Sequence, residues 1–451
     1  MHKHTLLAAM LAAGLLTSAP VIAQSDVEQL RAEFEQKLKA LQDQYESRLK
    51  EMEARVTRTE TAAPPASPTT APPASQTNFN PEISLVLQGQ YRHRKDIDER
   101  HIGGFMAGGH AHGSDRGLNV DHTELVFSAN VDPYFRGFAV LAFVDEEVEV
   151  EEAWFQTLAL GNGFAIKGGR FLSGVGYINE QHPHQWDFAD QSLMYQVLFG
   201  EHFIQDGVQL KWVAPTETYL EFGVEGARGQ NFPGSHDAGD RNGLGTWAAF
   251  AKIGGDVGDS HSWRAGLNYV MAKPRHRHAH LEDINDVESH VDFSGDSKTW
   301  IADFIWKWAP HRDPTQRNFK FQAEYFHRNE DGDLACEDNI AEGGACTGLV
   351  SAYRSRQSGW YAQTVYQFMP RWRVGYRYDR LDSGRVRFGL NPLEHEDFNP
   401  QRHSLMVDYS PSEYSRLRLQ FARDKSMHDV TDNQLTLQYI HSLGSHAAHK
   451  F

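Results

Sequence analysis

Residues 371–379 read RWRVGYRYD, and their alternation decides the fold. Trp372, Val374, Tyr376 and Tyr378 share one face of an extended chain, while Arg371, Arg373, Arg377 and Asp379 share the other. Successive side chains of a strand point to opposite sides, so such a segment is greasy on one face and charged on the other. Read with the same period of two, the chain from Pro81 onward divides into about sixteen such segments. The joints are as telling as the segments. Asp132-Pro133, Gly161-Asn162-Gly163, Pro215-Thr216, Pro370 and Pro411-Ser412 make short turns, each from an even-numbered segment to an odd one. The odd-to-even links are mostly long: 95–119, 171–205, 228–244, 273–296, 329–356 and 383–400. Asp145-Glu146-Glu147, which barely separates two segments, is the weak member. Short turns alternating with long loops are the pattern of a transmembrane β-barrel of the bacterial outer membrane, one of only two architectures that satisfy every backbone polar group in lipid. The expected fold is therefore an all-β barrel of about 16 antiparallel strands over 81–451, facing outer-membrane lipid.

Composition agrees. Only 40% of the 451 residues are hydrophobic. After the N-terminus no apolar run approaches the roughly 20 residues that a membrane helix needs. Trp300, Trp306, Trp308, Trp360, Trp372, Tyr376, Tyr378 and Tyr409 lie near segment ends, where interfacial girdles form. A net charge of −16 argues against a nucleic-acid partner. Phe451 supplies a terminal aromatic of the kind used in recognition by the barrel assembly machinery.

Three segments precede the barrel. Residues 1–23 read as a signal peptide, with a polar start at His2-Lys3-His4, an apolar run from Leu6 to Leu16 and a small-residue cleavage site ending at Ala23. Residues 24–60 carry Val27, Leu30, Phe34, Leu38, Leu41, Tyr45, Leu49, Met52 and Val56 at steps of three and four, an eleven-residue repeat. Eleven residues in three turns give a nearly straight coiled coil, hence an oligomer, for which a homotrimer suits a barrel of this type. A single amphipathic helix lying on another surface is the alternative. Residues 61–80 form a Pro/Ala/Thr-rich linker.

The longest link, 171–205, joins the fifth and sixth segments and holds His182, His184, Trp186, Asp187 and Asp190 among its aromatics. Its ordinal position and its aromatics predict a constriction loop folded into the lumen. Parity places Lys167, Lys211, Lys307, Arg371, Arg373, Arg377, Arg416 and Arg418 on the pore-lining wall. The five arginines form a stripe expected to attract anions, since rings of fixed charge select ions by sign. The alternative is that these lumen charges pair with one another and hold water. Cys336 and Cys346, ten apart in an exported chain, predict a disulfide, with a metal-binding pair as the alternative. His110, His112, His276, His278, His280 and His290 fall in predicted external loops among many carboxylates. Alternate histidines on an extended chain project to one side, and low-affinity capture of Zn or Cu at the mouth is the expectation. A solvated His-rich loop is the plainer reading. No cofactor is required. Neither a nucleophile elbow nor a placed acid pair points to an enzyme.

The architecture resembles Gram-negative porins, particularly anion-selective porins with an N-terminal coiled coil. Phe79-Asn80-Pro81-Glu82-Ile83-Ser84-Leu85, Ser128-Ala129-Asn130-Val131-Asp132-Pro133-Tyr134, Lys167-Gly168-Gly169-Arg170-Phe171 and His261-Ser262-Trp263-Arg264-Ala265-Gly266-Leu267 are similar to a porin-like family labelled zinc-regulated TonB-dependent outer-membrane receptors. The resemblance covers most of residues 79–451. It implies a passive channel of the cell outer membrane for small hydrophilic solutes or ions, linked to uptake of zinc or another metal. A surface metal-binding receptor needing a partner for import is the alternative. TonB-dependent receptors have about twenty-two strands around a plugged lumen. Only a helix and a Pro-rich spacer precede the first strand here, so passive diffusion is expected.

Overall fold

The computed structural model describes Lys39 and residues 81–444, except 98–99, 107–115, 121, 145–146 and 240–241. The signal peptide, coiled-coil repeat and linker, together with His110, His112 and Phe451, lie outside the described residues. The strands are β1 (Glu82–His93), β2 (Gly117–Val120), β3 (Thr123–Asn130), β4 (Phe135–Val144), β5 (Glu147–Thr157), β6 (Phe164–Leu172), β7 (Ile204–Val213), β8 (Tyr219–Ala227), β9 (Thr246–Val257), β10 (His261–Ala272), β11 (Arg277–Glu282), β12 (Glu288–Trp308), β13 (Asn318–Cys336), β14 (Val350–Met369), β15 (Trp372–Arg387), β16 (Gln401–Ser412), β17 (Ser415–Lys425) and β18 (Asp432–Gly444).

All eighteen join one sheet, which closes because β1 pairs antiparallel with β18 from Ser84↔Gly444 to His93↔Leu435. Two of them are not separate staves. β2 and β3 both pair with β1 and are one stave interrupted near His122. β11 pairs with β12, while β10 also pairs directly with β12. Sixteen staves remain, and each overlaps one of the sixteen segments expected from the sequence.

The sides of the wall are inverted relative to a soluble sandwich. On β17, Arg416, Arg418 and Gln420 are buried, whereas Leu417, Leu419 and Phe421 are exposed. These exposed residues pair across the sheet with Tyr439, Leu437 and Leu435 of β18, also exposed, and the belt continues to Leu405 and Val407 of β16. A continuous apolar outer face around charged inner residues suits lipid outside and polar groups within. Among the described residues no helix is long and apolar enough to cross a membrane.

β12, β13, β14 and β15 run to 21, 19, 20 and 16 residues. The hydrocarbon layer requires only about 9–11, so their outer halves project beyond it. There Met106, Val291, Phe293, Leu334, Tyr353, Phe388 and Leu393 pack around a disulfide between Cys336 and Cys346. The segments read from sequence, such as 297–309 and 317–328, stop short of this projection. Outside the lipid a strand need not keep an apolar outer face, and Asp292, Asp296, Asp331 and Asp333 read as loop.

Candidate functional site: the lumen and its constriction loop

Residues 173–203, between β6 and β7, lie against the inner wall. Helix α1 (Leu193–Phe199) has every residue buried and ends at Gly200, whose φ of 62° is the left-handed conformation that glycine adopts freely. A helix buried on all sides and apolar but for Gln196 belongs in a core, and here the core is the lumen. The helix clusters with Phe250, Val270, Ile301, Phe326, Tyr361 and Leu381, contributed by β9, β10, β12, β13, β14 and β15. Tyr195 meets Phe326 edge-on, with ring centroids 5.1 Å apart.

Polar anchors fix the rest of the loop. Glu324 on β13 accepts hydrogen bonds from the Tyr195 hydroxyl at 2.9 Å and from the Ile178 amide at 3.1 Å. Glu225 on β8 accepts from Ser173 Oγ at 2.5 Å and the Gly174 amide at 2.8 Å. Asp187 pairs with Lys320 and, at 3.3 Å, with Arg373. Asp190 lies 2.9 Å from both Arg377 and Arg402, and Gln420 donates to it at 2.8 Å. Burial alone would raise both aspartates. The neighbouring cations (Lys320 and Arg373 for Asp187, Arg402 and Arg377 for Asp190) instead hold them well below the usual carboxylate range. Backbone carbonyls complete the attachment: Trp186 O accepts from Arg416 at 3.0 Å and from Arg418 at 2.7 Å.

This geometry corrects the expected anion stripe. Arg377, Arg416 and Arg418 are each only 1% exposed. Arg373 binds Asp408 as well as Asp187, and Arg377 binds Asp379 at 2.9 Å. The loop covers these side chains, so they hold it in place rather than face solute. Arg371 is not on the wall at all. It stands exposed in the turn before β15 with φ 73°, because the two-residue link needs a left-handed residue there. Of the lysines, Lys211 lies 3.4 Å from Glu221. Lys307 is half-buried opposite Lys320. Lys167 sits 4.8 Å over the Trp154 ring. Beside Lys167 is a cavity of about 280 Å³, bordered also by Glu82, Arg136, Glu152, Glu180 and His182.

His182 and His184 meet carboxylates of the wall. His182 Nδ1 is 3.2 Å from Glu151 and its Nε2 is 3.0 Å from Glu152. His184 Nδ1 is 2.9 Å from Glu124. Sequence parity could not find this group, because Glu151 and Glu152 are consecutive yet both buried. The β4–β5 register shifts there: Glu152 faces Val140, while Val150 faces Leu141. Such a bulge turns two neighbouring side chains to one side. The acidic pair itself was visible, but no local residue marks the bulge.

The external histidines are partly gathered. His278 and His280 alternate on β11 and pair with Asp292 and His290 of β12. All three are exposed. His278 contacts Asp292 and His280 contacts Glu288. His276 precedes the strand, 3.9 Å from Asp292.

No family model matches the chain. A protein of Aquifex aeolicus described as uncharacterized is 32% identical over 397 residues, covering 83% of this chain and 80% of that one. The chain belongs to the same family as that Aquifex protein. Among solved structures, a loop-L8 deletion mutant of OmpT, an outer membrane protein of Vibrio cholerae, aligns with a TM-score of 0.50 at 13% identity, covering 81% of this chain and 99% of that one. The outer membrane channel DcaP of Acinetobacter baumannii aligns at 0.47, with 12% identity over 82% of this chain and 99% of that one. An anion-selective porin from Comamonas acidovorans also aligns at 0.47, with 10% identity over 81% and 99%. None of these likenesses bears a zinc-receptor or TonB name. With its outward apolar belt, the protein is a sixteen-stave β-barrel of the Gram-negative outer membrane.

Proposed function

We propose that this barrel is a narrow passive channel for small hydrophilic solutes or ions, closed down by residues 173–203. The observation that carries the reading is the polar lumen within a closed, lipid-facing wall, with a loop packed into it and held through side-chain contacts. A cavity beside the loop, with Glu152, Glu180, Arg136 and Lys167 at its border, is mixed in charge, so small size is the expected criterion for passage. Swelling of proteoliposomes in sugars of graded size tests this. The smallest sugars should enter and disaccharides be excluded; swelling no faster than protein-free liposomes would overturn the reading.

The exposed hairpin bearing His278, His280 and His290 supports a finer reading, in which loosely held Zn²⁺ or Cu²⁺ is concentrated at the outer mouth ahead of uptake. The same hairpin would serve a surface receptor that needs a partner for import. Solute entry without ligand or partner separates the two. We also propose a homotrimer, on the strength of the N-terminal eleven-residue repeat; the mass of the detergent-solubilised protein tests it.

A further inference from the structure

Around His182 the wall and the loop assemble a group that the channel reading leaves without a task. His122 stands at the break between β2 and β3, Glu124 is on β3, and Glu151 and Glu152 occupy the bulge of β5. One ligand atom each from His122, Glu124 and Glu151 lies within 4.8 Å of the other two. His122 Nε2 is 3.1 Å from Glu151 Oε2 and 3.7 Å from Glu124 Oε1. The loop adds His182, whose Nδ1 is 3.2 Å from Glu151 Oε2 and 3.6 Å from Glu124 Oε2. In a tetrahedral zinc site with bonds of about 2.0–2.1 Å, neighbouring ligand atoms stand about 3.3 Å apart; the separations from Glu151 Oε2, 3.1 and 3.2 Å, fit that spacing, and those from the two Glu124 oxygens, 3.7 and 3.6 Å, are somewhat wider.

Two further features point to a cation. Glu124 is fully buried and its Oε2 accepts no hydrogen bond, although it faces the group. A buried carboxylate oxygen without a hydrogen bond is costly, its contact with His182 Nδ1 being 3.6 Å, and two carboxylates this close repel each other unless a positive charge, from a metal ion or a protonated imidazole, joins them. Outside the four ligands, His182 Nε2 meets Glu152 Oε1 at 3.0 Å, and His184 Nδ1 meets Glu124 Oε1 at 2.9 Å. A carboxylate that orients a ligating imidazole, as Glu152 does for His182, is a usual outer-shell partner of a metal site. Glu152 and His182 also border the lumen cavity, which gives an ion a route in.

We propose that His122, Glu124 and Glu151 of the wall, with His182 of the constriction loop, bind one divalent transition-metal ion inside the barrel. Mixed imidazole and carboxylate donors select an ion of the Zn²⁺, Co²⁺ or Mn²⁺ kind rather than a thiophilic one. Because three ligands belong to the wall and one to the loop, the ion fastens the loop to the β3–β5 side, in addition to the arginine anchors. Glu152 is a positioning residue for His182. This site is separate from the exposed histidines at the mouth and does not depend on conduction.

The test uses the full-length protein in detergent, stripped with chelator and titrated with Zn²⁺ and with Co²⁺. One equivalent should remain bound after gel filtration. X-ray absorption should show nitrogen and oxygen neighbours, and bound Co²⁺ should give the visible bands of a low-coordinate site. Glu151→Gln and His122→Ala should lose that equivalent, Glu152→Gln should bind roughly 10–100-fold more weakly, and His278→Ala with His280→Ala should retain it. Heat-modifiable migration on gels checks that each variant is folded. The absorption spectrum of the unmutated protein judges the proposal even where a variant fails to fold. Absence of a retained equivalent, or retention that survives in folded Glu151→Gln and His122→Ala, would overturn it, leaving a histidine–carboxylate latch without metal.

Discussion

Replacing Asp190 with Asn should loosen the constriction loop by an amount that the contacts define. The carboxylate is within 2.9 Å of both Arg377 and Arg402, and Gln420 donates to it at 2.8 Å. Removing one partner of a buried ion pair costs about 3–5 kcal/mol. The lower end applies here, because Arg377 keeps Asp379 at 2.9 Å and Arg402 keeps Asp424 at 3.8 Å. A loss of about 3 kcal/mol corresponds to roughly a hundredfold change in the opening equilibrium. Two loop amides report on it directly: Ala189 donates to Gln420 Oε1 at 2.7 Å and Leu193 donates to Asp379 Oδ1 at 3.1 Å. In native-state hydrogen exchange both should exchange roughly a hundredfold faster in the variant, while amides of the wall strands are unchanged. An acceleration of less than about threefold at both amides would refute the reasoning.

Other perturbations probe separate parts of the account. Leu419→Arg places a charge on the lipid face and should destabilise the barrel by about 2–4 kcal/mol if the site lies near the midplane, measured by refolding into vesicles. Serine at both Cys336 and Cys346 should loosen the external projection by about 2–3 kcal/mol, seen as faster proteolysis of residues 337–349 with solute entry unaltered. Asp283, in the external region, accepts from the Ala345 amide at 2.7 Å and the Asn285 amide at 2.9 Å. Burial acts to raise its pKa, but these hydrogen bonds bring it down to about 2. A depressed carboxylate contributes stability above its ordinary value and loses it as the pH falls through the folded value. The amide shifts of Asn285 and Ala345 should therefore titrate with a midpoint near 2; a midpoint near 4 would show the contacts to be weak.

The wall was legible because lipid enforces alternation: segments such as 371–379 had to be apolar on one face wherever they crossed. Turn residues such as Asp132-Pro133 and Gly161-Asn162-Gly163 then marked the joints. Legibility failed where the lipid constraint ends. The outer halves of β12 to β15 are strands without an apolar outer face, and β11, with its exposed histidines, looked like loop. Inside the barrel, parity gave the direction of Arg377, Arg416 and Arg418 but not their partners. Those partners, Asp190 and the Trp186 carbonyl, sit in a loop some 190 residues or more distant in sequence. The loop's entry into the lumen could be read from its aromatics; the joint inward turn of Glu151 and Glu152 toward His182 could not, because a single bulge there breaks the parity.

The central claim, that a membrane channel is narrowed by its own residues 173–203, is tested most directly by single-channel conductance in planar bilayers. The comparison is between the intact protein and a variant in which residues 187–199 are replaced by a short Gly/Ser link. The account predicts small unitary steps for the intact protein and steps several times larger for the variant. Equal conductance in the two, with both shown to be folded and inserted, would contradict it.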